Sequence, residues 1–190
     1  MSFSAVILAG GKSSRMGRDK AFLEVDGKTL LARQIAVARE AGARDVFISG
    51  RPDTDYSSFA GLVLKDQFEN AGPLAGIGRA LAALSTPLLL VLAVDLPGMS
   101  PNFLRGLFDR CEGHVGAISR IAGQIEPLVA FYPKAAGPLA EVRLREGNKV
   151  VSAFAQNCVS SGLASFFDVP VSDAPYFVNW NAPADFPAAV

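Results

Sequence analysis

Gly10, Gly11, Arg15 and Lys20 stand together in the stretch GGKSSRMGRDK, which directly follows the apolar run FSAVILA. Glycine has no side chain to hold a ligand away from the main chain, and it reaches backbone angles closed to other residues. Successive amides in such a turn form a concavity that holds anions. Arg15 adds a planar fork of donors matched to phosphate oxygens, and Lys20 adds a compact positive charge. The grip of a triphosphate is the chemistry this set suits. Asp95 is the second candidate, because it stands immediately after the apolar stretch PLLLVLAV. A carboxylate at the mouth of a buried strand is costly unless it is paired, solvated or bound to a metal.

The elements that must position these groups follow from the hydrophobic pattern. An apolar run over 3–8 that ends in glycines predicts a buried strand feeding a tight loop. Asp26-Gly27 is a turn signal, Thr29 is a cap for a helix that Gly42 stops, and DVFI at 45–48 reads as the next strand. Strand, loop, helix, strand is a βαβ unit with parallel strands. A further short strand over 62–65 ends at Asp66, and GPLAGI opens a helix through Leu84 with Pro73 in its first turn. Residues 87–94 show no alternation and predict the central strand, buried on both faces. A helix over 101–110, strands over 115–121 and 126–132, and an edge strand over 166–169 complete the expectation. In open α/β sheets ligands bind at the carboxyl ends of the strands, which is where the glycine loop, Ser49, Asp66 and Asp95 fall.

Other chemistries are excluded by pattern. Gly27-Lys28-Thr29 is not a Walker A motif, since Phe22 occupies the first glycine position, and no Gly-x-Gly-x-x-Gly follows the first strand. Lysine plus arginine and aspartate plus glutamate number 18 each, so no overall field draws nucleic acid or an anionic membrane. The longest apolar run is too short to span a bilayer, and the N-terminus is a poor secretory signal, so a cytoplasmic protein is expected. Cys111 and Cys158 lie outside any metal-binding spacing and are expected to be reduced and partly buried. The sole histidine, His114, has no partner for a triad. At 190 residues, half of them hydrophobic, the chain is expected to be one domain over 1–190, long enough to bury a sheet between two helical layers.

The stretch LAGGKSSRMGRDK resembles the signature of nucleotidyltransferases that attach a nucleoside monophosphate to a phosphorylated acceptor, most closely the molybdenum cofactor guanylyltransferases of the MobA family. GPLAG at 72–76, DLP at 95–97 and FVNWN at 177–181 resemble three further landmarks of that family in the same order. The resemblance implies a three-layer α/β/α fold with a mostly parallel sheet, Rossmann-like and of the nucleotide-diphospho-sugar transferase type. It assigns nucleotide binding to about residues 1–100 and acceptor binding to about 101–190. The implied reaction is transfer of GMP from GTP to the terminal phosphate of molybdopterin, with release of pyrophosphate. Residue by residue, it implies that Leu8, Ala9, Gly10, Gly11, Lys20, Ser49, Asp66 and Gly76 line the nucleotide, and that Asp95 holds Mg2+. Arg15, Lys20 and Asp95 form the implied catalytic set.

Departures and alternatives accompany the resemblance. Ser49 stands where the family often has asparagine, and a hydroxyl cannot make the paired contacts of an amide to a base edge. Arg143, Arg145 and Lys149 in RLREGNK read either as a solvated helix end or as a grip on the acceptor's phosphate. Asn179 and Asn181 fall on one side of an extended piece, and read as ligand-fixing amides or as loop caps. The partners implied are GTP, molybdopterin, and proteins that deliver the cofactor or mature molybdoenzymes. Three rivals remain: a cytidylyltransferase on the same pterin, a sugar-1-phosphate nucleotidyltransferase, and a nucleotide-binding protein without turnover. The first usually carries LAAG and DQP and the second LAGGxGTRL, so Gly10-Gly11, DLP and Ser13-Ser14-Arg15-Met16 favour the guanylyltransferase. Retention of Arg15, Lys20 and Asp95 together speaks against the third.

Overall fold

The structure, a computed structural model, describes residues 1–10, 19–64 and 72–180. Strand β1 (Phe3–Leu8) is buried along its whole length. A two-residue hairpin, β2 (Glu24–Val25) and β3 (Lys28–Thr29), turns at Asp26-Gly27 with φ of 50° and 71°, the left-handed pair that a type I′ turn requires. Helix α1 (Leu30–Glu40) follows directly, and the expected cap is present: the Thr29 hydroxyl accepts from the Ala32 amide at 3.2 Å. Then come β4 (Val46–Ser49), β5 (Leu62–Leu64), α2 (Pro73–Ala83) and β6 (Leu88–Ala93). The chain continues through α3 (Pro101–Phe108), β7 (Gly116–Ile121), β8 (Gln124–Pro133), α4 (Gly137–Arg145), α5 (Val151–Ser160) and β9 (Ala164–Asp168).

The main sheet has the order β5-β4-β1-β6-β8-β7-β9, with β6 in the middle and β9 at an edge, as the sequence predicts. All pairs are parallel except the two that involve β8. Its reversal comes from the Ala122-Gly123 turn (φ 48° and 83°), which folds β8 back on β7. Alternate residues of the central strands feed two cores. Phe3, Ala5 and Ile7 of β1 and Leu88, Leu90 and Leu92 of β6 pack with α1 and α3 on one face. Val6 and Leu8 with Leu89 and Val91 pack with α2, α4 and α5 on the other. The three β6 leucines on the α1 face are fully buried, each contributing about 1.5–3 kcal/mol of transfer free energy. In this three-layer α/β/α frame β1 and β6 are covered on both faces, and their ends form the base on which the site stands.

Some expectations need correction, among them the edge strand expected over 166–169, which spans Ala164–Asp168. The helix over 101–110 ends at Phe108, and 124–133 forms a longer strand than 126–132. Helices α4 and α5 are absent from the sequence reading, in which RLREGNK stands only as a solvated helix end or a grip on the acceptor.

Candidate functional site

The ends of β1, β4 and β6 set the floor of the site. Leu8 is in register with Ser49 on one side and Ala93 on the other, so the segments beyond them emerge side by side at one rim. The Ser49 carbonyl accepts from the Ala9 amide at 2.8 Å and the Gly10 amide at 3.1 Å, and the Leu8 carbonyl accepts from Val94 at 3.3 Å. This corrects the expectation that the amides after Leu8 are open to an anion: the first two are already committed to β4. Ala9 and Gly10 thus anchor the loop's start on β4. Gly11 and Arg15 lie outside the described residues, as do Asp66 and Asn181.

Lys20 re-enters at this rim on a 3-10 turn, Lys20–Phe22, whose first turn Asp19 caps by accepting from the Ala21 amide at 3.1 Å. Its Nζ lies 3.2 Å from Asp95 Oδ2, with the two side chains 20% and 24% exposed. Two residues 75 positions apart in the chain thus meet at one rim of the sheet.

Asp95 is held from three sides. Its carboxylate meets Lys20, its carbonyl accepts from the Trp180 amide at 3.0 Å, and the next carbonyl, that of Leu96, accepts from Gln34 Nε2. Gln34 is 1% exposed on the buried face of α1. Its Nε2 bonds the turn that carries Asp95, while its buried Oε1 has no partner among the described residues, so the burial of this amide is only half compensated.

Among the described residues no group of three or more acidic, histidine or cysteine side chains could cage a metal. The donor set nonetheless fits magnesium, which commonly takes one or two carboxylates and completes its oxygen shell with substrate phosphates and water. Asp95 is the described carboxylate placed to do this.

The remaining candidates divide. Ser49 is 6% exposed, and a Cβ placed on Gly76 would lie 2.1 Å from its hydroxyl and 3.0 Å from Leu8 Cδ2. Ser49 therefore points at α2, and Gly76 is glycine so that the helix can pack on β1 and β4. That corrects the reading of Ser49 as a hydroxyl offered to the ligand and of Gly76 as a place for the ligand's own close approach. Helix α2 begins after Gly72 (φ 64°) with no side-chain cap; Pro73 carries no amide hydrogen and the Ala75 amide bonds the Gly72 carbonyl at 3.1 Å, so of its first three residues Leu74 alone could offer an amide to a ligand. Arg143 donates from Nη1 to Asn157 Oδ1 at 2.7 Å and so ties α4 to α5, rather than reaching out as an acceptor grip. Lys149 is exposed just past the end of α4. Asn179 is exposed and adjoins Trp180, whose bond to Asp95 brings the tail to the site. On β8, burial pushes the Glu126 carboxyl up from its ordinary value. A separate groove of about 720 Å³ between α2 and α4, lined by Gly78, Arg79, Glu141 and Arg145, includes none of the candidate nucleotide residues.

Residues 5–159 match the MobA-like NTP transferase domain. The chain belongs to the MobA-like NTP transferase family. A probable molybdenum cofactor guanylyltransferase of Opitutus terrae is 40% identical over 187 residues, covering 97% of this chain and 93% of that relative. Another protein of that description, from Pelotomaculum thermopropionicum, is 34% identical, with 96% and 89% covered. Among solved structures, molybdopterin-guanine dinucleotide biosynthesis protein A from Archaeoglobus fulgidus matches with a TM-score of 0.77 at 22% identity, covering 96% of this chain and 94% of that one. The 2-C-methyl-D-erythritol 4-phosphate cytidylyltransferase from Thermus thermophilus matches with a TM-score of 0.72 at 20% identity, covering 97% and 95%. At these identities the two structures speak for the fold alone, and they share it across acceptors of different chemistry. Against this MobA-like frame, Gln34 and Trp180 are the site residues that sequence reasoning missed. The one available signal was a glutamine on the apolar stripe of α1, between Leu31 and Ile35.

Proposed function

We propose that this MobA-like protein is a molybdenum cofactor guanylyltransferase, which moves GMP from GTP to the terminal phosphate of molybdopterin and releases pyrophosphate. The approach of Lys20 Nζ to Asp95 Oδ2, at 3.2 Å on the rim where β1 and β6 end, is the observation that carries the reading. A phosphate monoester is largely ionised near neutral pH, so the nucleophile needs no general base. An oxygen of the molybdopterin phosphate forms a bond to the α-phosphorus of GTP. The bond to the α–β bridging oxygen breaks, and its electron pair leaves with pyrophosphate.

The difficulty is bringing two anions together, and the chain's own groups answer it with charge. Lys20 neutralises charge building on the leaving group, and Arg15 is assigned the same task from the loop before it. Once nucleotide arrives, Lys20 exchanges its contact with Asp95 for phosphate oxygens, which releases the carboxylate. Asp95 together with triphosphate oxygens would hold magnesium, whose Lewis acidity offsets the remaining repulsion. At the uncapped start of α2 the Leu74 amide is assigned to a phosphate or a base oxygen. Asn179, Asn181 and Lys149 are assigned to the acceptor side and Asp66 to the guanosine. No described helix is long and apolar enough to cross a membrane, in keeping with a cytoplasmic enzyme supplied with pterin by delivery proteins.

Pyrophosphate release with magnesium and molybdopterin, measured in parallel for GTP, CTP, ATP and UTP, tests the assignment. Release with GTP and formation of the guanine dinucleotide are expected. Equal or faster release with CTP overturns the base assignment, and no release with any nucleotide overturns the transferase itself.

A further inference from the structure

Tyr56 lies in the loop that follows β4, in a stretch with no motif of its own, yet it is 2% exposed. Its ring stacks on Phe22 of the 3-10 turn at 5.7 Å between centroids and 23° between planes. On the other side the ring presses on the backbone just beyond β4: a Cβ placed on Gly50 would lie 2.3 Å from Tyr56 Cε2. Glycine at position 50 is therefore the residue that lets this ring in. The phenol oxygen accepts from the Arg51 amide at 3.1 Å and donates to Asp19 Oδ2 at 3.1 Å. Burial pushes the phenol up from its ordinary value and the neighbouring Asp19 charge adds to the effect, so the group stays protonated and remains a donor.

Asp19 thereby uses both carboxylate oxygens: Oδ1 caps the turn that begins with Lys20, and Oδ2 is anchored by Tyr56. The next side chain along is the one that meets Asp95. We infer that Tyr56 is a positioning residue for nucleotidyl transfer: acting through Asp19, it fixes the turn that aims Lys20 at Asp95 and the triphosphate. The inference rests on the function proposed above. Tyr56 docks the turn that begins at Asp19 to the same β4 end that, through the Ser49 carbonyl, holds Ala9 and Gly10.

The test is Tyr56→Phe, which keeps the ring packing and removes two hydrogen bonds, the one donated to the Asp19 carboxylate and the one accepted from the Arg51 amide. The bond to the carboxylate corresponds to roughly a ten- to hundredfold effect. A fall of that size in kcat is expected, with a smaller rise in KM for GTP, because the phosphate oxygens Lys20 meets are already charged when nucleotide binds and gain further charge in the transition state. In a Lys20→Ala background Tyr56→Phe is expected to cost nothing further, since the group it positions is gone. Full activity of Tyr56→Phe overturns the inference, and so does an equal loss in both backgrounds, which would mark a general structural role. A second readout needs no turnover: the rate at which an amine-acylating reagent modifies Lys20, located by mass spectrometry. It is expected to rise severalfold in Tyr56→Phe while the other lysines keep their rates, and an unchanged Lys20 rate overturns the inference. If the wild-type protein transfers no nucleotide, the proposed function fails, and the acylation rate still decides whether Tyr56 positions Lys20.

Discussion

Lys20 and Asp95, separated by 75 positions in the chain, meet at 3.2 Å where the ends of β1 and β6 emerge together. Neither charge is deeply buried, at 20% and 24% exposure, so the pair adds at most about 1 kcal/mol to stability. Its value is directional, since a cation and a metal-competent carboxylate aimed at one point form the core of a phosphoryl-transfer site.

Lys20→Ala and Asp95→Ala are each expected to lower kcat by roughly 10²–10³, the range seen when one transition-state donor is removed. Denaturation midpoints are expected to stay close to wild type. Asp95→Ala should in addition raise the magnesium concentration needed for half-maximal rate, whereas Lys20→Ala should leave it nearly unchanged. Wild-type turnover in either purified variant removes that residue from the catalytic set.

Much of this rim was legible in the sequence, for a physical reason. A strand buried on both faces must be an unbroken apolar run, so PLLLVLAV and FSAVIL announced β6 and β1, and a charged residue at the end of either had to lie at the rim. Thr29 was legible as a cap because its hydroxyl acts locally. What stayed hidden depends on partners distant in sequence. Nothing in LAGG says that the Ser49 carbonyl consumes two of its amides, and nothing in RLREGNK says that Arg143 bonds Asn157 on the next helix. The reversal of β8 was hidden because Ala122 takes a left-handed angle with none of the side chains that usually mark it.

Gln34 joins α1 to the turn after β6 by donating to the Leu96 carbonyl. Gln34→Ala removes one of the two donors to that carbonyl, which keeps the Met99 amide at 3.1 Å, so the cost is that of a single net hydrogen bond, about 0.5–1.5 kcal/mol in urea denaturation. The same change frees the turn carrying Asp95, so kcat is expected to fall by more than the lost stability alone explains under conditions where the variant is fully folded. Normal kcat in a destabilised Gln34→Ala protein would confine Gln34 to a structural role.

Gly76 and Ser49 form a contact with no room for another atom. A Cβ on Gly76 would sit 2.1 Å from the Ser49 hydroxyl and 2.8 Å from its Cβ. Gly76→Ala is therefore expected to destabilise by about 1–3 kcal/mol, the usual cost of overpacking. Ser49→Gly in the same chain should recover part of that loss, because it removes both clashing atoms, and the recovery is read directly as a coupling energy in a double-mutant cycle. Additive losses would mean that α2 is held off β4 by something other than this pair.

Cys111 and Cys158 are both free and buried, and burial pushes each thiol up to about 12. A neutral, enclosed thiol is a poor nucleophile, so neither is expected to react with a disulfide reagent at pH 8 until the protein unfolds, when both should react together. The pH dependence follows from the same shift. Below the ordinary thiol value of 9.0 both states hold the proton and stability is unaffected. Between 9.0 and about 12 the unfolded chain loses protons that the folded chain keeps, so stability falls as pH rises through that window. Serine at both positions should flatten this part of the stability profile, and an unchanged alkaline slope in the double variant would assign it to other groups, Tyr132 first among them, whose burial pushes its phenol well up as well.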